Sequence, residues 1–376
     1  MPTIPSAAYT DPDRLAVYIA PDPNTVYYVN GSTGVDFIVG GELADYLIGG
    51  GDRDIVWAGS GNDYIIGDRS WLDDASGAGA ASIVGGADAL FGGAGDDVIF
   101  AGAGRNYVNG ESGNDWIRGG QEAEYLMGGF GDDTIAGQGG NDVLFGGSPS
   151  QGDMEAAVAS YFGGALTLTY DGIFGTTINF VQSPGIGQVA QTSTGNDYLD
   201  GGFGDDYIYG QDGNDSLFGG EGGDVLFGGE GNDVVYGDAG NDTGYGGAGN
   251  DFMDGGQGVD WLVGDAGDDL VYGRDGNDVL SGGDGNDVIV GGPGYDLMYG
   301  GNGNDVFVVL RNDQEDIILG EAGTDTVQFS DRSSVEIAFR GITANGYYTV
   351  IFTDGYYTSM TGVEWLAFAN TSILIG

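Results

Sequence analysis

An aspartate recurs every nine residues through the second half of the chain, and this period constrains the fold more than any other feature. The thirteen positions are Asp197, Asp206, Asp215, Asp224, Asp233, Asp242, Asp251, Asp260, Asp269, Asp278, Asp287, Asp296 and Asp305. All but Asp197 close a glycine-rich hexapeptide such as GGEGND (228–233), and most precede an apolar triplet such as VVY (234–236). A period this short predicts a solenoid whose repeat is one turn and one strand. It also stacks one carboxylate per turn in rows, which predicts a metal-binding edge.

The same phase extends upstream. Its positions are Asp36, Asp45, Asp54, Asp63, Asp88, Asp97, Asn106, Asp115, Glu124, Asp133 and Asp142. The turn between Asp63 and Asp88 is 16 residues longer than the period requires, and the turn between Asp142 and Asp197 is 46 residues longer. The chain therefore carries two arrays with 24 turn positions, of which 22 hold Asp.

The pattern G-G-x-G-x-D-x-U-x, with U apolar, resembles the hemolysin-type calcium-binding nonapeptide of the RTX (repeats-in-toxin) family. GGAGNDFMD (246–254) and GGDGNDVIV (282–290) are close to that consensus. The resemblance implies an all-β fold, a parallel β-roll with alternate strands in two facing sheets and Ca²⁺ along the turns of both edges. In the family an ion lies between two stacked turns, so its carboxylates come from residues 18 apart, such as Asp215 and Asp233.

The residue types agree with calcium. Glycines in the turn let backbone carbonyls approach an ion, and Asp adds a hard, charged oxygen. Ca²⁺ takes six to eight oxygen ligands in tolerant geometry, whereas zinc and copper are disfavoured because the chain has no His and no Cys. The alternative is that these Asp residues only cap turns. The predicted metal ligands are Asp36, Asp63, Asp88, Asp97, Asp115, Asp133, Asp142, Asp197, Asp206, Asp215, Asp224, Asp233, Asp242, Asp251, Asp260, Asp269, Asp278, Asp287, Asp296 and Asp305.

Four turns depart from the pattern, and their calcium occupancy stays open: those ending at Asp45, Asp54, Asn106 and Glu124. The first two lack the fourth-position glycine, and the last two lack the aspartate. By strand counting, Asn106 and Glu124 fall on one edge of the first array, and Asp115 falls on the other. We therefore expect one weakened and one intact edge in the first array, and two loaded edges in the second.

The net charge of −49, with no lysine, excludes nucleic acid and anionic membrane as electrostatic partners. Roughly 20 Ca²⁺ would bring roughly +40 and nearly cancel the excess. Ions that bind only the folded state stabilise it. The sequence therefore predicts a chain that is disordered without calcium and folded with it.

The repeats divide the chain into five segments: an N-terminal cap (1–30), a first array (31–147, with a loop insertion at 67–87), an insertion (148–194), a second array (195–309) and a β-rich C-terminal cap (310–376). Residues 154–162 of the insertion predict a short helix, and 165–170 and 176–181 predict a β-hairpin. This helix–hairpin insertion either covers an apolar face or forms a contact site. Strands are predicted in the C-terminal cap at 325–330, 335–340, 347–354 and 361–370.

The absence of cysteine fits an extracellular protein without disulfides. The first 21 residues have no basic and apolar regions of a Sec signal, and no transmembrane segment is predicted. RTX-like proteins leave through type I secretion by means of an uncleaved C-terminal signal. The resemblance therefore implies an extracellular or cell-surface location, with such a signal within 310–376. The alternative is a plain C-terminal cap without an export role.

Strand alternation points the middle residue of each triplet inward. These form a narrow aliphatic core, with Gly244 as an expected thin spot. The flanking residues point outward, and Arg118, Asp200 and Asp254 are the three charges among them. Three explanations of these apolar faces stay open. The residues are present for their β-propensity and are shielded by other segments, or the faces support self-association or docking on a partner. In the third, the Tyr and Trp rings stack on glycans.

The composition argues against an enzyme, because a chain without His, Cys and Lys lacks the groups for triad, zinc-hydrolase and Schiff-base chemistry. No catalytic residue is assigned, and calcium is the expected cofactor. We predict a secreted calcium-binding structural protein that folds on Ca²⁺ and self-assembles as a surface layer, filament or biofilm matrix. The alternative is a calcium-dependent adhesin or glycan-binding module that uses the outward aromatic rows or the 148–194 insertion.

Overall fold

The computed structural model describes residues 16–19, 25–31, 36–50, 54–68, 87–147, 167–168, 178–179, 195–310, 316–329, 337–342, 348–352, 357–368 and 371–374. Regular structure in these ranges is entirely β-strand, numbered β1 to β35 in chain order. The helix predicted at 154–162 and most of the loop at 67–87 lie outside the described residues. Within the 148–194 insertion, the structure describes the antiparallel pair β14 (Thr167–Leu168) and β15 (Ile178–Asn179), which matches the predicted hairpin.

One sheet of 17 strands, here sheet 1, forms one wall of the molecule. Its strands are, in spatial order, β1 (Ala16–Ile19), β3 (Asp36–Val39), β5 (Ile55–Ser60), β7 (Ala89–Ala94), β9 (Tyr107–Ser112), β11 (Tyr125–Phe130), β13 (Val143–Gly147), β17 (Tyr207–Asp212), β19 (Val225–Glu230), β21 (Thr243–Ala248), β23 (Trp261–Ala266), β25 (Val279–Asp284), β27 (Leu297–Gly303), β29 (Ile317–Gly323), β33 (Tyr357–Thr361), β32 (Tyr348–Phe352) and β31 (Ile337–Ile342).

A second sheet of 16 strands, sheet 2, forms the opposite wall. Its strands are β2 (Tyr28–Asn30), β4 (Tyr46–Gly50), β6 (Tyr64–Asp68), β8 (Val98–Phe100), β10 (Trp116–Arg118), β12 (Thr134–Gly139), β16 (Tyr198–Phe203), β18 (Ser216–Glu221), β20 (Val234–Ala239), β22 (Phe252–Gln257), β24 (Leu270–Asp275), β26 (Val288–Val290), β28 (Val306–Val309), β30 (Thr326–Phe329), β34 (Trp365–Phe368) and β35 (Thr371–Leu374). From β1 to β30, apart from the pair β14 and β15, successive strands alternate between the two walls, as the parallel β-roll predicted from the repeat requires.

The two arrays form one continuous roll. Strand β12 pairs in parallel with β16, and β13 pairs in parallel with β17, so the stacking passes across the 148–194 insertion in both sheets. Strand β6 likewise pairs with β8 across the 67–87 insertion. The first insertion follows a strand of sheet 2 and the second follows a strand of sheet 1. They therefore leave opposite edges, as predicted.

The roll encloses a single core cluster that runs from Tyr18 to Phe368. The middle residues of the triplets fill it, and Leu199, Ile208 and Leu217 are completely buried. The thin spot expected at Gly244 is not found. A Cβ at that position would lie 2.9 Å from the Leu262 side chain and 3.0 Å from that of Met253, because these larger neighbours occupy the space.

The outward faces differ between the arrays. On sheet 1 the outward residues of β11 and β13 are as buried as the core, and Tyr107, Tyr207 and Tyr209 pack against them. A similar cluster on sheet 2 buries the outward residues Ile48, Ile66 and Phe100. In contrast, Trp261 on β23 is 55% exposed and Ile317 on β29 is 41% exposed. Most other outward residues of the second array on sheet 1 are half-buried, and in the first array Trp57 on β5 is 50% exposed, so both arrays present partly exposed outward side chains.

The C-terminal segment extends the roll before it closes it. Strands β29 and β30 continue the parallel stack, and β33 and β34 add one further parallel strand to each sheet. Antiparallel β31, β32 and β35 then end the sheets. The roll therefore continues beyond residue 309, the predicted end of the second array. The turn GEAGTD (320–325) keeps the fourth-position glycine and the final aspartate of the repeat, but it lacks the second glycine of the initial pair.

Candidate metal centre

The residues that close the turns, all carboxylates except Asn106, stand on two edges, named here for the sheet whose strands they precede. Edge 1 carries Asp36, Asp54, Asp88, Asn106, Glu124, Asp142, Asp206, Asp224, Asp242, Asp260, Asp278, Asp296 and Asp316. Edge 2 carries Asp45, Asp63, Asp97, Asp115, Asp133, Asp197, Asp215, Asp233, Asp251, Asp269, Asp287, Asp305 and Asp325. All twenty predicted ligands are buried, with at most 4% of any residue exposed.

Each carboxylate is held by the turn before it on the same edge. The backbone N–H of Asp215 donates to Oδ1 of Asp233 over 2.8 Å, and that of Asp233 donates to Oδ1 of Asp251 over 2.8 Å. The ladder crosses both insertions, from Asp63 to Asp97 and from Asp133 to Asp197. Where the ladder is continuous, the repeat therefore fixes one oxygen of each carboxylate.

The second oxygen is buried without a hydrogen-bond partner. This holds for Oδ2 of Asp63, Asp97, Asp115, Asp133, Asp142, Asp206, Asp215, Asp224, Asp233, Asp242, Asp251, Asp260, Asp269, Asp278, Asp287, Asp305 and Asp325. A buried anionic oxygen without a donor is costly unless a proton or a cation neutralises it. With nine Arg and no Lys in the chain, the neutralising cations have to come from solution.

Backbone carbonyls lie beside these free oxygens. A Cβ built on Gly228 would lie 2.4 Å from Oδ2 of Asp233 and 2.6 Å from the carbonyl oxygen of Gly246. The fourth-position Gly231 has φ +142°, and a Cβ there would lie 1.4 Å from the carbonyl oxygen of Gly213. Glycine is thus required where carboxylate and carbonyl oxygens crowd together.

Burial shifts the acidity of the same groups. Desolvation raises the pKa of Asp233 to about 7 and those of Asp97 and Asp242 to about 8, against the lowering effect of the backbone N–H bonds they accept. Neighbouring carboxylates on the edge add to the rise. Without a counterion the turns therefore favour protonated carboxyl groups.

The donor set fits a hard divalent cation. Among the described residues, no three acidic side chains converge on one point, so carboxylates from stacked turns and backbone carbonyls would share the coordination. Oxygen-only sets of this kind suit Ca²⁺. When bound, the ion would supply the positive charge that the unpartnered Oδ2 atoms lack.

Edge 1 is interrupted in the first array. Asn106 accepts the N–H of Asp88 through Oδ1, and its own Nδ2 donates to the carbonyl oxygen of Gly104 over 3.1 Å. A neutral amide thus satisfies a turn carbonyl that a cation would otherwise contact. The Oε2 atom of Glu124 accepts the N–H of Gly120 in its own turn. In the described part of the edge, the ladder is broken between Asn106 and Glu124.

The remaining departures from the pattern are less severe. Asp45 and Asp54 stand in register on edges 2 and 1, and they accept backbone N–H bonds from Tyr27 and Asp36. Two carboxylates beyond the predicted set also join the ladders. Oδ1 of Asp316 accepts the N–H of Asp296 over 3.1 Å, and Oδ1 of Asp325 accepts that of Asp305 over 3.0 Å. The step from Asp305 to Asp316 is 11 residues and breaks the nine-residue spacing, whereas Asp325 follows Asp316 by nine. The turn GEAGTD (320–325) keeps the fourth glycine and the final aspartate and could have revealed Asp325.

These features define the class of protein: a parallel β-roll whose turns are built for calcium. A model of the RTX calcium-binding nonapeptide repeat matches residues 30–69, 83–117, 118–148, 191–226, 218–253, 254–289 and 281–309. The matches cover more than half of the sequence, and the chain belongs to this family. A search of the curated proteins found no match.

Two general properties follow from membership of this family. RTX repeats bind Ca²⁺, and proteins that contain them are typically secreted by type I systems, which points to an extracellular location. In the described portion of the chain, no helix has the length and apolarity needed to cross a membrane.

Proposed function

We propose that this protein is a secreted calcium-binding structural protein that folds on Ca²⁺ and self-assembles at the cell surface through the outer face of sheet 1. The observation that carries the proposal is the composition of that face. On sheet 1 from β17 to β29, every first and third strand residue is uncharged, and most are apolar or aromatic. An apolar face of this extent is characteristic of an interaction surface.

Electrostatics restrict where two copies can meet. A chain of net charge −49 repels its own copies, and the acidic turns lie along the two edges. Contact through the uncharged face keeps these edges apart, and bound calcium lowers their charge. We therefore expect assembly to require calcium twice, once to fold the roll and once to weaken the repulsion.

The aromatic rows favour this role over glycan stacking. The rings of Tyr209 and Phe227 are 4.8 Å apart at 7°, and those of Phe227 and Tyr245 are 5.1 Å apart at 4°. Their faces are turned to each other along the roll, so the solvent meets ring edges. Sugars stack on ring faces, whereas edges and aliphatic side chains suit a packed protein interface.

A non-catalytic role is part of the proposal, because the chain offers no His, Cys or Lys. The first test is light scattering with negative-stain microscopy, in chelator and then in millimolar calcium. We expect ordered assemblies in calcium alone. A compact monomer in calcium would contradict self-assembly and would favour the adhesin alternative.

The predicted contact face is tested by Trp261→Lys, which places a charge among the apolar side chains of β23. We expect this variant to fold in calcium but to assemble at least tenfold less by light scattering. Phe203→Lys is the matched control, because Phe203 is 60% exposed, similar to Trp261, but ends its strand at a turn. Equal loss in both variants would locate the contact elsewhere.

A further inference from the structure

The carboxylate ladder of edge 2 does not end with the nonapeptide repeats. The family matches end at residue 309, yet Asp325 continues the ladder by accepting the N–H of Asp305. Asp325 is completely buried, and its Oδ2 has no partner. It therefore has the same unmet need for positive charge as the carboxylates within the repeats.

The C-terminal segment supplies the next member of the row. Oε2 of Glu364 accepts the backbone N–H of Asp325 over 2.8 Å, where a repeat would present Oδ1 of an Asp. Glu364 directly precedes Trp365, the first residue of β34, just as Asp325 precedes β30. Position 364 thus matches the sixth position of a turn, although the sequence before it, MTGV, has no repeat pattern.

The backbone beside these carboxylates also repeats the turn arrangement. A Cβ on Gly300 would lie 2.4 Å from Oδ2 of Asp305 and 2.6 Å from the carbonyl oxygen of Gly320. One turn further on, a Cβ on Gly320 would lie 2.6 Å from Oδ2 of Asp325 and 2.2 Å from the carbonyl oxygen of Gly362. A residue of the C-terminal segment therefore replaces a repeat glycine as the source of the carbonyl.

We propose that a divalent cation of the calcium class binds between the turn 320–325 and the segment 362–364, at the Asp325 and Glu364 carboxylates and the Gly362 carbonyl. This site joins the last repeat-like turn to the segment that closes the roll. The two carboxylates come from residues 39 positions apart in the sequence, so the site forms only when the C-terminal segment is docked. Calcium binding and closure of the roll are thus coupled.

The closed end protects part of the core. Met360, Val363, Leu366 and Phe368 belong to the core cluster, and the Phe368 ring stacks on Phe329 at 5.0 Å. Without a cation, the Asp325 and Glu364 carboxylates repel each other at the seam between β30 and β34. We therefore expect the segment 357–368 to dock in calcium and to separate in chelator.

The test is native mass spectrometry of the full chain in calcium, combined with hydrogen exchange of the amides at 357–368. Glu364→Gln and Asp325→Asn should each lower the maximum number of bound calcium ions by one. Both should also increase exchange in 357–368 at least tenfold while leaving the amides of 225–290 protected. Asp200→Asn is the matched control, because Asp200 is an acid on the outward face of β16, far along the chain from this site; it should change neither reading.

Two results would overturn the proposal. An unchanged ion count in both variants would mean that no cation binds at this seam, even if the segment exchanges faster. Loss of one ion with full protection of 357–368 would mean that closure does not depend on it. Neither result bears on self-assembly, which is measured separately by scattering.

Discussion

At the scale of single residues, the decisive feature is a carboxylate with one satisfied and one unsatisfied oxygen. In Asp233, Oδ1 is held by the backbone of the preceding turn and Oδ2 is buried without a donor. A side chain in this state binds whatever positive species is available. In calcium that species is the metal ion, and in chelator it is the proton.

This competition predicts opposite pH dependences with and without calcium. Burial raises the folded-state pKa of Asp115 to about 6 and that of Asp97 to about 8, above the unfolded value near 3.8. Protonation therefore favours the folded chain in chelator: the contribution is complete below the unfolded pKa and is lost as the pH rises through about 6 to 8. In chelator we expect a stronger β-sheet circular dichroism signal at about pH 5 than at about pH 8.

In millimolar calcium the order should reverse, because protons displace the ion from its carboxylates. The same pair of samples measured with calcium serves as the control. A β-sheet signal in chelator that falls on acidification would contradict this account of the buried carboxyl groups.

A second prediction concerns Asn106. Its Nδ2 group donates to the carbonyl oxygen of Gly104, and in Asn106→Asp an oxygen would face that carbonyl. The turn would then need a cation, so we expect the variant to bind at least one more calcium ion by native mass spectrometry. It should also require more calcium to fold. Asn114→Asp, at an exposed position of edge 2, should leave the ion count unchanged.

At the scale of elements, the unit is a turn of glycines followed by a short strand. The strands alone are too short to be stable, and each gains its stability from neighbours in both directions along the roll. The turn glycines set how closely those neighbours stack. Defects in a single turn should therefore weaken the adjacent turns as well.

Gly231→Ala tests this requirement. Gly231 has φ +142°, and an added Cβ would lie 1.4 Å from the carbonyl oxygen of Gly213. We expect a loss of more than about 1 kcal/mol in the free energy of unfolding, measured in calcium. In Gly223→Ala the nearest atom, the carbonyl oxygen of Asn241, is 3.4 Å away, so this variant should unfold like the parent chain. Equal stability of both variants would show that the turn can relax.

The sequence predicted the elements well where the period was strict. Spacing placed Asp215 beneath Asp233 and put Asn106 and Glu124 on one edge, as found. Asp316 and Asp325 were not predicted as ligands, because the step from Asp305 to Asp316 is 11 residues. Burial of Phe145 was also not predicted, because strand alternation places this residue on an outward face; its ring stacks on that of Tyr209.

At the scale of the whole molecule, two long insertions do not divide the roll. Both ladders and both sheets pass from the first array to the second, so the repeats act as one body with two acidic edges. The buried carboxylates of both ladders lie on those edges. Cation binding should therefore control the folding of the whole roll.

Removal of calcium is the corresponding test. We expect the β-sheet circular dichroism signal at neutral pH to be lost in chelator and to return in millimolar calcium, because the ions stabilise only the folded chain. Magnesium at the same concentration is the control, since it prefers fewer, more rigidly placed ligands and retains its waters. An unchanged β signal in chelator would show that the roll is stable without ions.

The carboxylate ladders continue past both insertions, and this indicates where evolution or protein engineering can insert new sequence. The N–H of Asp133 reaches Asp197 across 64 residues with the geometry it would have across 18. The ladder bonds thus persist across turns lengthened by 16 and by 46 residues. Foreign peptides could be grafted there and displayed at fixed intervals, and new recognition surfaces could arise by insertion without a new fold.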